Sequence, residues 1–300
     1  MRFLARISMF FFVMSGAFAQ ESATLVSTDT IHLTFPDKDS VIFVGKKSPN
    51  PNTSPAGGML YPGDTAGVFL VSILTHAAIS GSVQSAKERK EQELANEVLA
   101  PFQPFIPEIN SQFLWDEEKV KATDGVIGPL SFDKVDNSGS SHWSLLSQPV
   151  FALTQSKSSL IIYNSLTLKT NNRDKKNKTK PAKNKKTNDK SNITVVVVSD
   201  PITNENKSEY WLNNSGSAFK SESKSLFTES MSLALKYFLG GDSLSANANE
   251  ASIRYLEDGL KRLERGVILS QNCKRTVFKS LSNEIKSVPN LDHLSCSTPS

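Results

Sequence analysis

Polar and apolar residues alternate over Thr30-Ile31-His32-Leu33-Thr34-Phe35, and Ser40-Val41-Ile42-Phe43-Val44 forms a second β-rich run. Pro36-Asp37-Lys38-Asp39 between them is turn chemistry, so the pattern predicts a hairpin. Residues 46–63, punctuated by Pro49, Pro51, Pro55 and Pro62, read as an extended loop. No residue from Thr65 to Ala86 carries a formal charge when histidine is neutral, and Asp64 stands at an N-cap position, which predicts a long helix. Its continuation places Lys87 with Glu91 and Arg89 with Glu93 at i,i+4, Leu94, Val98 and Leu99 resume an apolar face, and Pro101 ends it.

A second group of elements begins near Pro149. Val150-Phe151-Ala152-Leu153, Leu160-Ile161-Ile162-Tyr163 and Ile193-Thr194-Val195-Val196-Val197-Val198 are strand-length runs that predict an antiparallel meander. Phe227, Met231, Ala234, Leu235 and Phe238 recur at helical spacing before Gly240-Gly241, predicting a helix laid over that sheet. Asp258-Gly259, between Ile253-Arg254-Tyr255-Leu256 and Val267-Ile268-Leu269, is a hairpin signal. From Lys274 to Pro289 two patterns compete: Cys273, Val277, Leu281 and Ile285 fit a helix, and Thr276-Val277-Phe278 fits a strand. The expected fold is therefore α+β, an antiparallel sheet of meander and hairpins covered by a few helices.

The N-terminus has a different logic. Arg2 and Arg6 precede an apolar run from Ile7 to Val13, and Ala17-Phe18-Ala19 supplies a small-x-small cleavage pattern before Gln20, so residues 1–19 read as a secretory signal peptide. The expected organisation is then 1–19 signal peptide, 20–64 hairpin and Pro-rich loop, 65–107 helical segment, and 108–300 α+β unit. Removing Arg2 and Arg6 leaves 32 basic and 30 acidic residues in the mature chain. The tract from Lys169 to Lys190 holds ten Lys/Arg and two Asp, so the remainder of the mature chain is net negative by six. This tract is expected to be a disordered loop at a hairpin tip that can meet an anionic envelope surface. It has no aromatic residue for base stacking, and specific nucleic-acid recognition is not expected.

Candidate chemistry is sparse. The sequence holds no G-x-S-x-G, H-E-x-x-H, Walker-type loop or C-x-x-C, and His32, His76, His142 and His293 are scattered. No cofactor, metal site or catalytic residue is expected. Three S-x-x-K matches, Ser131/Lys134, Ser217/Lys220 and Ser221/Lys224, are the nearest approach to a nucleophile and base, at a frequency chance explains in a chain rich in Ser and Lys. The 66–83 stretch is long enough as a helix to near the bilayer thickness, but Ser72, Thr75, His76 and Ser80 favour a buried helix over membrane contact. The two cysteines, Cys273 and Cys296, are expected to form a disulfide after export.

Leu60-Tyr61-Pro62 before a small-residue helix, Tyr210-Trp211-Leu212 before a second, then Glu264-Arg265 and Ser287-Val288-Pro289, resemble in their order uncharacterised exported proteobacterial envelope proteins. The resemblance implies a periplasmic or envelope location and no activity. The function expected is an accessory or binding protein without catalysis, whose partner is an envelope protein or an anionic envelope surface. An envelope hydrolase, or a membrane-associating protein using the 66–83 helix, is the alternative. Mass spectrometry of the unreduced mature protein checks the export reading, with a chain starting within two residues of Gln20 and a crosslinked Cys273/Cys296 peptide pair expected. A dominant species retaining Met1 to Ala19, or both thiols alkylated without reduction, contradicts it.

Overall fold

The computed structural model describes residues 31–35, 41–47, 86–115, 130–131, 143–170, 190–240 and 250–291. Their centre is the expected meander: β4 (Trp143–Leu153), β5 (Leu160–Thr170) and β6 (Lys190–Val198), paired antiparallel from Trp143↔Thr170 to Leu153↔Leu160 and from Lys169↔Lys190 to Ile161↔Val198. Six residues join β4 to β5, and Lys157 takes a left-handed φ of 58° there. The ends of the basic tract belong to the ladder, since Lys169 and Lys190 are partners, and residues 171–189 lie outside the described set.

The expectation of a purely antiparallel sheet is corrected: β-pairing is parallel at several places, and the sheet is mixed. The sequence suggested a hairpin over residues 30–44, but β1 (Ile31–Thr34) and β2 (Ile42–Gly45) both run parallel to β4, along the same edge of it. Thr34 lies opposite Leu146 and Ile42 opposite Val150, so the turn-rich residues between them interrupt one edge without reversing it. β3 (Leu130–Ser131) extends that edge, parallel to β1.

At the far side, β7 (Glu250–Glu257), β8 (Leu260–Gln271), β9 (Arg275–Ser280) and β10 (Ile285–Pro289) form an antiparallel series, and β10 then pairs parallel with β6 through Ile285↔Val195. The ten described strands thus make one mixed sheet, ordered β3-β1-β4-β5-β6-β10-β9-β8-β7 with β2 beside β4. Asp258 and Gly259 adopt φ 57° and 71°, the two-residue left-handed turn their identities suggested. The ambiguous tail resolves as strand: Thr276, Phe278 and Ser280 alternate inward, and Asn283 supplies a left-handed turn at φ 65°.

Helices cover one face. α1 (Ala86–Asn96) passes into a 3-10 turn over Glu97–Phe102, with a second at Ile106–Glu108 and a single turn, α2 (Ser111–Leu114), whose Phe113 N–H donates to Asn110 Oδ1 at 2.8 Å. The helix expected up to Pro101 therefore ends its α-form at Asn96, and Leu94 is exposed while Val98 and Leu99 are buried. Its expected start at Asp64 lies outside the described residues.

α3 (Lys207–Gly240) begins with Glu209 N–H donating to Asn206 Oδ1 (3.1 Å) while Asn206 Nδ2 donates back to Glu209 (2.9 Å). It kinks over Asn213–Gly216, three of which are left-handed. Beyond the kink Phe219, Phe227, Met231, Ala234 and Leu235 are fully buried against Leu145, Phe151, Ile162, Val195 and Val197. Phe219 meets Phe43, Phe102 and Trp211, which draws β2, the 3-10 turn and the start of α3 into one aromatic cluster. Beside it, buried Asn164 accepts from Ser147 (2.8 Å) and donates to Ser230 (3.0 Å), tying β4, β5 and α3 together.

The opposite face is covered by the sheet itself. Ile253, Tyr255, Phe278 and Val288 curl back over Val150, Ala152, Ile161, Tyr163, Val196 and Val198. The Asp258 tip reaches the β4–β5 turn, where Ser156 and Ser158 donate to its carboxylate, and Lys46 pairs with Glu257 at 2.7 Å.

A methyl group on Gly216 would lie 2.8 Å from Cγ of Phe105, at φ 72°. Gly216→Ala is expected to cost about 1–3 kcal/mol, read as a lower denaturation midpoint at unchanged slope. A wild-type midpoint would contradict the strained kink.

Candidate functional site

Two adjacent i,i+4 rows of α3 border its buried stripe, with Ser221, Ser225 and Lys236 exposed and Thr228 and Ser232 buried. One is Ser221, Ser225, Glu229 and Leu233, and the other is Lys224, Thr228, Ser232 and Lys236. The curl of the sheet draws β8 and β9 away from the helix. The rows therefore stand across an open trough of about 540 Å³ from Ser270, Asn272, Arg275, Val277 and Ser287. The helix forms one wall because its apolar stripe is committed to β5 and β6, which leaves the polar rows over the diverging strands.

Arg275 organises the floor. Its Nε donates to Ser287 Oγ (3.0 Å) and pairs with Glu229 (3.2 Å), Nη1 donates to Asp200 (3.1 Å), and Nη2 donates to the carbonyls of Val198 (2.8 Å) and Ser287 (3.1 Å). The Ser287 hydroxyl donates to the same Glu229 carboxylate. One guanidinium so joins β6, β9, β10 and α3. Nearby Glu222 is pushed up to about 6, first by burial and then by the Asp200 and Glu229 charges, against the lowering effect of Arg275.

A second polar cluster lies inside the curl. Lys286 pairs with Glu264 (2.8 Å) and Glu284 (3.3 Å), and Tyr255 donates to Glu264 (3.2 Å). Burial would lower Lys286, but the two carboxylates more than offset it and hold the ammonium above its ordinary range. Burial pushes the Tyr163 and Tyr255 phenols up, with Glu257 adding to it. Lys286 is shared by two carboxylates, and the cluster ties β7, β8 and β10 together on a covered face.

Of the residues singled out from the sequence, Ser221 and Lys224 both line the trough, with Ser221 exposed and the Lys224 ammonium 5.8 Å over the Phe113 ring. Lys220, by contrast, pairs with Glu108 at 2.9 Å. Ser131 lies in β3, and Lys134 is outside the described residues. Cys273 occupies the β8–β9 turn, where its carbonyl accepts from Asn290 (3.0 Å). Cys296, Ala19, Gln20, residues 66–83 and His76, His142 and His293 lie outside the described residues.

Among the described residues no helix is long and apolar enough to cross a membrane, and no group of His, Cys, Asp and Glu is placed to hold a metal. The sequence reading missed Glu229, Arg275 and Ser287. The row Lys224, Thr228, Ser232, Lys236 was a polar helical pattern it could have used. Comparison with protein-family models, curated proteins and solved structures finds no match.

Because Glu222 holds its proton more tightly folded than unfolded, stability should fall as pH rises from about 4.5 to about 6. The contribution is on the order of 2 kcal/mol. Glu222→Gln should flatten that slope in denaturation midpoints measured across this window, and an unchanged slope contradicts the assignment.

Proposed function

We propose that this chain is an exported, envelope-associated accessory protein that binds its partner without transforming it, and that the trough between α3 and β8–β10 is its binding surface. The observation that carries the reading is the trough itself: a cavity of about 540 Å³ lined mainly by hydroxyl and charged side chains. The signal-like residues 1–19 and the resemblance to exported proteobacterial proteins support the location. A Cys273/Cys296 disulfide would tie the tail to the β8–β9 turn, beside Asn272 of the trough. The partner is an envelope protein or an anionic envelope surface, and the basic tract rooted at Lys169 and Lys190 supplies a second, salt-sensitive contact to such a surface.

A hydrolase is the second reading, favoured by the shared placement of Ser221 and Lys224 on the trough wall. Recovering the captured partner after incubation separates the two, since a hydrolase returns it with altered mass.

Ser225 is exposed on that wall, so Ser225→Trp should fill the trough without disturbing the core. The variant is expected to accumulate in the envelope fraction at the wild-type level yet fail to complement a deletion strain. Full complementation would remove the trough from the function.

A further inference from the structure

We infer that the outward face of the β7–β8 hairpin docks on an anionic phospholipid bilayer, an inference that rests on the proposed function only for the chain's meeting an anionic envelope surface. Strand alternation makes the face. Ile253 and Tyr255 point into the curl, so Ser252, Arg254 and Leu256 point away from it, with Arg265, Leu263 and Lys261 opposite them in that order. Leu263 is 58% exposed, and Leu281, which follows Ser280, the partner of Gly266, stands at the level of Arg265 and is 63% exposed. Neither they nor Leu256 belong to either hydrophobic core. With Leu260 at the hairpin's end, three of the five exposed large apolar side chains among the described residues gather in this one unit, a concentration that scattered surface leucines do not produce.

The charges give the sign of the partner. Arg254 and Lys261 are exposed and have no carboxylate partner, and Arg265 pairs with Glu250 at 2.9 Å. Glu250 is the carboxylate of this face, since Glu257, Glu264 and Glu284 are turned into the curl toward Lys46, Arg262 and Lys286. Lys279 is engaged with Tyr237 and is left out of the balance. Three cations therefore surround Leu263 against one anion: Arg254 across the ladder, and Lys261 and Arg265 roughly 7 Å to either side along β8.

The interleaving gives the class. The core of a protein interface gathers apolar side chains into a contiguous patch depleted of lysine, whereas here cations separate the leucines. A bilayer surface satisfies both at once, because headgroup phosphates meet the cations while the leucines enter the boundary of the acyl chains.

Flotation of the mature chain with vesicles of phosphatidylglycerol and phosphatidylcholine, against phosphatidylcholine alone, tests this. Binding to the anionic vesicles is expected, weaker in added salt, with none to the neutral ones. Arg254→Gln/Lys261→Gln and Leu263→Ser/Leu281→Ser should each weaken it about tenfold at an unchanged thermal midpoint. Leu263→Trp should add emission that shifts to the blue on anionic vesicles, whereas Leu94→Trp, at an exposed leucine of α1, should add emission that does not shift. Replacing residues 171–188 with Asn-Gly should lower binding but keep its dependence on Arg254 and Leu263. Absence of binding to anionic vesicles, wild-type binding by either double variant, or an unshifted Leu263→Trp overturns the inference. Binding that depends on the basic tract alone also overturns it, but leaves that tract as the envelope contact of the proposed function. Self-association that Leu263→Ser/Leu281→Ser abolishes, without vesicle binding, overturns it in favour of a second copy of the chain. Complementation by Ser225→Trp would instead remove the trough and leave this face untouched.

Discussion

The fold depends on burying the second half of β4 and its partners in β5 and β6 on both faces at once. From Pro149 to Leu153 consecutive residues are buried, so two layers must be found for one strand segment. The helical residues of α3 and the 3-10 turn supply one, through Phe219, Phe227 and Phe102. The other comes from the same sheet, bent until Ile253, Tyr255 and Phe278 return over it. At roughly 25 cal/mol per Å² of apolar surface, neither layer is dispensable to a segment with no polar face to turn outward. The contacts of Lys46 with Glu257 and of Ser156 with Asp258 close this bend at its rim.

The same bend creates the trough. A straight helix cannot follow a sheet that curls away from it, so the space between them widens toward β8 and β9. The polar rows of α3 face that widening, and Arg275 holds its floor together by joining three strands to the helix. The candidate site is thus a by-product of the way the core is covered, with side chains suited to a wet cleft.

Much of this architecture was legible where its cause was local. Asp258-Gly259 has the backbone freedom its turn requires, the β-branched runs of β4 to β6 are strand-length and follow one another in the chain, and the apolar spacing of α3 marked its buried stripe. Parallel pairs leave no such mark. Nothing near Ile285 specifies Val195 as its neighbour, and Pro36-Asp37 carries turn chemistry whether the chain reverses or resumes along the same edge. Likewise Ser221 and Lys224 could be noticed as a spacing, but Arg275, Asp200 and Ser287 become neighbours only when β6, β9 and β10 are placed. The site was half visible because its helical wall is periodic and its floor is assembled from distant strands.

The parallel pairing of β6 with β10 also bears on the order of events during synthesis. Val195 meets a partner 90 positions later in the chain, and that partner lies in the last strand described. Central β6 therefore lacks one of its two neighbours until Ile285 to Ser287 have been made, and closing so long a loop is intrinsically slow. The strand that completes the centre of this sheet is therefore also one of the last of the described strands to leave the ribosome, so that β4, β5 and β6 must wait with one edge open.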